Sequence, residues 1–167
     1  MEMTMKRFHV HMHVEDLAQN IAFYSKLFGS APTRVESDYA KWMVEDPAVN
    51  FAISTRGSQP GIDHLGIQTD LAEELAVMKE RAQAADMSLL DEGETTCCYS
   101  RSDKYWLADP QGVAWEHFHT LDSVPVFSER KTDFDNTNKG IESACCAPRA
   151  PQGKPIGIPV KPASPCC

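Results

Sequence analysis

No cysteine in this chain stands alone, and no spaced disulfide framework is present. All six cysteines fall in adjacent pairs, Cys97-Cys98, Cys145-Cys146 and Cys166-Cys167. Neighbouring residues make a poor structural disulfide, because the bridge strains the backbone and closes almost no loop. Apolar runs are short as well. None approaches the roughly 20 residues that span a bilayer, and the opening MEMTMKRFHV has no apolar signal core. A cytoplasmic protein with no membrane partner is expected, and thiols stay mostly reduced there. The pairs then read as dithiols kept available for a soft electrophile or metal. Excess positive charge is also missing. The net charge is −8, so nucleic acid is not an expected partner, since binding phosphate needs a basic face.

What is present organises itself as a repeat. FHVHMHV, residues 8–14, alternates strictly and predicts a strand. A helix follows, with Asp16 as N-cap, a stripe of Leu17, Ile21, Tyr24, Leu27 and Phe28, and Gly29 as its stop. Strand-like TRVES, YAKWMV and VNFAIS come next, with a turn at Asp46-Pro47. The same order then recurs. DHLGIQT, residues 63–69, predicts a strand. Asp70 and Glu73 suggest a capping box, and Leu71, Leu75, Met78 and Ala82 mark a second helix. Four strand-like pieces follow, around 88–92, 96–101, 103–108 and 113–119, and WLADPQG echoes WMVEDPA. Two βαβββ modules are expected, at about 7–56 and 61–120, in one domain over 1–122. Residues 148–165 hold six prolines and almost no large apolar groups. Such a composition cannot bury a core, so residues 123–167 are expected to be a flexible tail.

Several side chains could converge on a metal. His9, His11 and His13 share one strand face by the period of two. His64 opens the second module. Glu116 lies on the last strand, with His117 and His119 on its other face as surface or interface residues. The combination HVHMHVEDLAQNIAFYSKLFG, DHLGI and DPQGVAWEHF resembles the vicinal oxygen chelate superfamily over about residues 7–120. That family includes glyoxalase I, bleomycin-resistance proteins and extradiol dioxygenases. The resemblance implies an α+β fold in which two βαβββ modules form a curved mixed sheet around a metal. It implies His9, His64 and Glu116 as both metal ligands and catalytic residues. His9 stands where the family places its first ligand, seven residues before the helix-capping Asp. His11 and His13 are candidates for supporting groups.

Glyoxalase I usually adds a fourth ligand, a Glu from the last strand of module one. PAVNFAISTR, residues 47–56, offers no acidic residue. Two His and one carboxylate with open positions is the arrangement associated with non-haem Fe(II) and O₂ chemistry. TTCCYS, with the Cys pairs of the tail, resembles the organoarsenical carbon–arsenic lyase branch, to which a cadmium-induced branch is related. The implied function is an Fe(II)-dependent dioxygenase that releases arsenite from trivalent methyl or aryl arsenicals, with O₂ as co-substrate. Two adjacent thiolates can replace both exchangeable oxygen ligands on As(III) and leave its carbon bond exposed. Cys97 and Cys98 are therefore the expected substrate-binding residues, with Arg101 placed to favour a thiolate. The sequence leaves three matters open: methyl or aryl preference, the reductant, and whether the protein is a monomer or a homodimer. It also permits a non-catalytic cadmium- or arsenite-binding resistance protein, or another enzyme of the superfamily such as an extradiol dioxygenase.

Overall fold

The computed structural model describes residues 4–57 and 59–125. The tail beyond Pro125, with Cys145-Cys146 and Cys166-Cys167, lies outside the described residues. Module one is β1 (Arg7–His13), α1 (Leu17–Phe28), β2 (Arg34–Val35), β3 (Tyr39–Val44) and β4 (Val49–Ser54). Module two is β5 (Gly61–Thr69), α2 (Ala72–Ala84), β6 (Leu89–Cys97), β7 (Ser100–Ala108) and β8 (Ala114–Ser123). All eight strands form one mixed sheet in the order β2-β3-β4-β1-β5-β8-β7-β6. β1 and β5 pair antiparallel at its centre, and each pairs parallel on its other side with the last strand of its own module. Both βαβββ modules expected from the sequence are present. The four strand-like pieces of module two are three strands, because Leu89–Cys97 form one long β6.

The helices start and stop for local reasons. Asp16 is extended, and its side chain accepts the Gln19 N–H. Gly29 takes the left-handed conformation that ends α1. The second start differs from expectation. Leu71 is the N-cap of α2, without a side-chain cap bond, and the Glu74 carboxylate approaches its N–H. Asp70 instead accepts the Met5 N–H at 2.8 Å, which ties the segment ahead of β1 to module two. Among the described residues, no helix is long and apolar enough to cross a membrane.

The helices cover one face of the sheet. Val10 and Met12 of β1 join Trp42, Phe51 and Ile53 beneath Leu17, Ile21, Tyr24 and Phe28 of α1. Leu75, Met78 and Ala82 of α2 pack on Tyr105, Leu107 and Trp115. Alternation sends the intervening residues to the other, inner face. The polar chemistry collects there.

Candidate metal centre

The inner face of β1 carries His9, His11 and His13, and all three are buried. β5 brings His64 beside them and β8 brings Glu116. One donor atom from each of His9, His64 and Glu116 lies within 4.8 Å of the other two. His9 Nε2 is 3.1 Å from His64 Nε2, and Glu116 Oε2 is 3.2 Å from His64 Nε2 and 3.5 Å from His9 Nε2.

The backbone is shaped to permit this convergence. Gly66 pairs with Glu116 across β5 and β8. A Cβ at Gly66 would stand 2.1 Å from the Glu116 carbonyl oxygen, so no larger residue fits there without moving the ligand strand. The Asp-Pro-Gln-Gly turn sets where β8 begins: the Asp109 carboxylate accepts the Gln111 and Val113 N–H groups at 2.9 Å each, and Gly112 takes a positive φ.

Each donor atom is aimed by a partner on its far side. His9 Nδ1 donates to the Asn50 carbonyl at 3.0 Å, and His64 Nδ1 donates to Asp63 Oδ2 at 2.6 Å. Both rings are left with Nε2 pointing inward. Glu116 Oε1 accepts from Lys104 Nζ at 3.0 Å, which leaves Oε2 for the cluster. Lys104 is buried, and its side chain is also 3.5 Å from Glu92. Two imidazoles and one carboxylate oxygen, each held from behind, are a donor set that suits a divalent ion.

The module repeat explains why this cluster has three donors among the described residues and none from β4. The N-caps Asp16 and Leu71 are 55 residues apart (71 − 16). The same offset carries His9 onto His64 and His11 onto Gly66. His11 pairs with Ala52 as Gly66 pairs with Glu116. Ala52 therefore occupies in module one the place of Glu116 in module two. Its methyl packs with Tyr39, Cys97 and Tyr99.

The cysteines close the same space. Cys97 ends β6, and Cys98 and Tyr99 form the two-residue turn into β7, both with positive φ. The tip of this hairpin is fixed to module one. Arg34 donates to the Tyr99 carbonyl at 3.0 Å and the Tyr99 hydroxyl donates to Asp38 at 2.5 Å. His9, Glu116, Lys104, Lys41, Cys97 and Cys98 all line one cavity. Cys97 is buried and Cys98 half-buried, so the pair does not sit in a solvated loop. The two sulfurs are 3.4 Å apart, beyond the length of a disulfide.

Other expectations need correction. Arg101 does not serve the cysteines: its guanidinium pairs with Asp122 and Glu94. The cations that share the cavity with Cys98 are Lys41 and Lys104. His117 bonds the Tyr105 hydroxyl at 2.8 Å and His119 lies 3.2 Å from the Thr69 carbonyl, so both are half-buried structural groups. Lys104 was detectable in principle, since alternation along β7 puts it on the face of Ser102 and Trp106, and Trp106 pairs with Glu116.

Burial and charge set the protonation of the cluster. Burial, reinforced by His64, lowers His9 to about 4 and holds His11 well below the usual range. Burial would also lower His64, but hydrogen bonds to Asp63 and Glu116 outweigh it and raise this ring. Burial would raise Glu116, yet the Lys104 ammonium and His64 keep it ionised well into acid. A stability prediction follows from His9 and His11. Their folded values are depressed, so between about 6.5 and about 4 the unfolded chain binds protons that the folded chain refuses. His64 is raised instead, so it acts in the opposite sense as the pH falls through about 6.5 and offsets part of that loss. His9 alone should cost the metal-free protein roughly 2 kcal/mol between pH 7 and pH 5, and His11 acts in the same direction, so the protein should be less stable at pH 5. Urea melts of chelator-treated protein at the two pH values measure this, and equal midpoints would contradict it.

The description "Glyoxalase/Bleomycin resistance protein/Dioxygenase superfamily" belongs to the family model that matches residues 6–117. A trivalent organoarsenical cleaving enzyme from Bacillus sp. (strain MD1) is 40% identical over 154 residues, which is 90% of this chain and 96% of that protein. The cadmium-induced protein CadI of Mycobacterium bovis is 31% identical over 145 residues, 85% of this chain and 93% of its own length. Among solved structures, the Mn(II)-bound glyoxalase from Novosphingobium aromaticivorans superposes with a TM-score of 0.52 at 15% identity, covering 77% of this chain and 44% of that one. The last likeness is one of fold alone.

Proposed function

This chain belongs to the Glyoxalase/Bleomycin resistance protein/Dioxygenase superfamily, and on that footing we propose that it is a non-haem Fe(II)-dependent dioxygenase cleaving the carbon–arsenic bond of trivalent organoarsenicals. One observation carries this reading. The cavity lined by His9 and Glu116 of the three-donor cluster is also lined by Cys97 and Cys98. A site for binding arsenic alone needs the sulfurs. A site for oxygen chemistry alone needs the histidines and the carboxylate. Only a reaction at an arsenic-bound carbon needs both within one small space.

The protein's own groups have separable tasks. His9, His64 and Glu116 would hold the metal, through Nε2, Nε2 and Oε2. Bound Fe(II) would supply the capacity to activate O₂ toward the carbon–arsenic bond. Reduced Cys97 and Cys98 exchange with the two oxygen ligands of the arsenical, as soft donors on a soft centre. The arsenic is thereby held with its carbon substituent directed into the cavity. Ala52 leaves open the side from which module one could have supplied a fourth ligand. Lys104 stays paired with Glu116 and keeps the carboxylate ionised. The similarity to organoarsenical cleaving enzymes supports the substrate class. The similarity to CadI favours, as a second reading, a protein that binds thiophilic ions without cleaving them.

The deciding experiment loads the reduced protein with Fe(II) under anaerobic conditions and then adds methylarsenite and air. Chromatographic separation of arsenic species should show inorganic arsenite formed only when iron, oxygen and protein are all present. Methylarsenite bound but recovered intact would replace the lyase reading with sequestration.

A further inference from the structure

Two inner-face residues, His13 and Asp63, have no task in the reaction just described. Both sit in unusual backbone settings. The pairing of β1 with β5 slips between His11↔His64 and Met12↔Ile62, so Asp63 is the inserted residue of a bulge. Such a bulge redirects a side chain. In a regular strand Asp63 and His64 would face opposite ways, whereas here the carboxylate turns back onto the ring beside it. The second setting is at Gly57, where a Cβ would stand 2.1 Å from the His13 ring. His13 occupies space that only glycine leaves.

The contacts form a continuous line. Asp63 Oδ2 accepts from His64 Nδ1 at 2.6 Å, and Asp63 Oδ1 meets His13 Nε2 at 3.0 Å. His13 Nδ1 is 3.2 Å from Ser54 Oγ, which is itself 2.9 Å from His11 Nε2. The carboxylate is thus held at both oxygens, and its anchor is held in turn by β4. A ring whose Nδ1–H is fixed by a carboxylate presents Nε2 as the ligand, in a set orientation and with raised basicity.

We propose that Asp63, anchored by His13, is the positioning residue of the metal centre: it fixes the tautomer and the angle of His64. The proposal rests on the metal-site reading given above. It goes beyond that reading by assigning metal affinity to two residues outside the ligand set.

The test uses Co(II), which reports coordination by its visible spectrum and needs no turnover. Full-length wild type, Asp63→Asn, Asp63→Glu and His13→Gln are titrated with Co(II) against a chelator, and each is also melted without metal. Asp63→Asn keeps the shape but removes the charge. It should bind Co(II) about 10–100-fold more weakly, with a shifted spectrum and a metal-free melting temperature near that of wild type. Asp63→Glu should recover part of the affinity, and His13→Gln should show a smaller loss of the same kind. If Asp63→Asn does not fold, His13→Gln carries the same comparison. Wild-type affinity and spectrum in Asp63→Asn and His13→Gln would overturn the proposal while leaving the metal centre intact. Failure of the wild type itself to bind Co(II), with no difference among variants, would overturn the metal-site reading and this inference with it.

Discussion

Glu116→Gln is expected to abolish iron binding and arsenite release together, while the protein still captures methylarsenite. Glu116 provides the one carboxylate among the three clustered donors. An amide oxygen is a far weaker ligand for a divalent cation, and losing even an outer partner of a ligand typically costs 10–100-fold in affinity. Loss of the ligand charge should exceed the upper end of that range, about 100-fold. The choice of Gln matters because of Lys104. That ammonium is buried and donates to Glu116 Oε1 at 3.0 Å. Glu116→Ala would remove the nearer of the two carboxylates beside buried Lys104, leaving Glu92 at 3.5 Å, and would confuse loss of function with loss of fold. Gln still offers Lys104 a carbonyl oxygen. Iron content by mass spectrometry, arsenical retention on a desalting column and arsenite release are then read on one preparation. Cleavage that survives with iron still bound would mean the ligand set is wrong. Loss of arsenical capture along with iron would mean the two sites are one.

The fold was legible in the sequence because both of its periods repeat. Strict alternation in β1 and the paired helix stripes place two copies of one module, but the offset that aligns them needs the observed cap Leu71, since the expected Asp70 falls one residue short. Local chemistry decided the first helix, where Asp16 and Gly29 act within their own turns. It misled at the second, because Asp70 is drawn away by a backbone N–H that is distant in sequence, that of Met5. The site follows the same division. His9, His64 and Glu116 are implied by the resemblance of their motifs, and strand register brings the three together. The groups that aim them are long-range and have no local signature. Lys104 reaches Glu116 from the next strand, Asn50 meets His9 through a backbone carbonyl, and Asp63 faces inward only because of a bulge. Polarity also misled at the cysteines. Thr95, Thr96, Ser100 and Arg101 suggest a solvated loop, yet the hairpin folds Cys97 inward against Tyr39 and Ala52. Ala52 itself carries information only once the modules are aligned, as the residue that stands where a fourth ligand would be.

Cys97→Ser and Cys98→Ser should each weaken methylarsenite binding by about 100- to 10,000-fold, the advantage that a second tethered donor confers over one alone. Iron binding should be unchanged in both, since neither sulfur belongs to the three-donor cluster. A catechol-cleaving enzyme of the same superfamily would show no such dependence, so retained activity on a catechol with lost arsenical binding would point to that chemistry. Cys98→Gly separates substrate capture from folding more sharply. Cys98 has φ 52 and Tyr99 φ 61, the left-handed region that disfavours side chains, at a tight turn where glycine or asparagine is the usual choice. A non-glycine residue held there costs roughly 1–2 kcal/mol. Replacement by glycine should relieve that cost and raise the melting temperature of the metal-free protein, while removing one of the two arsenic ligands. A more stable variant that no longer holds methylarsenite is the expected result. It would identify the sulfur as the reason that the strained turn is kept. A variant that gains stability and still binds as tightly as wild type would show that Cys98 is dispensable, and would leave Cys97 to act with a donor other than its neighbour.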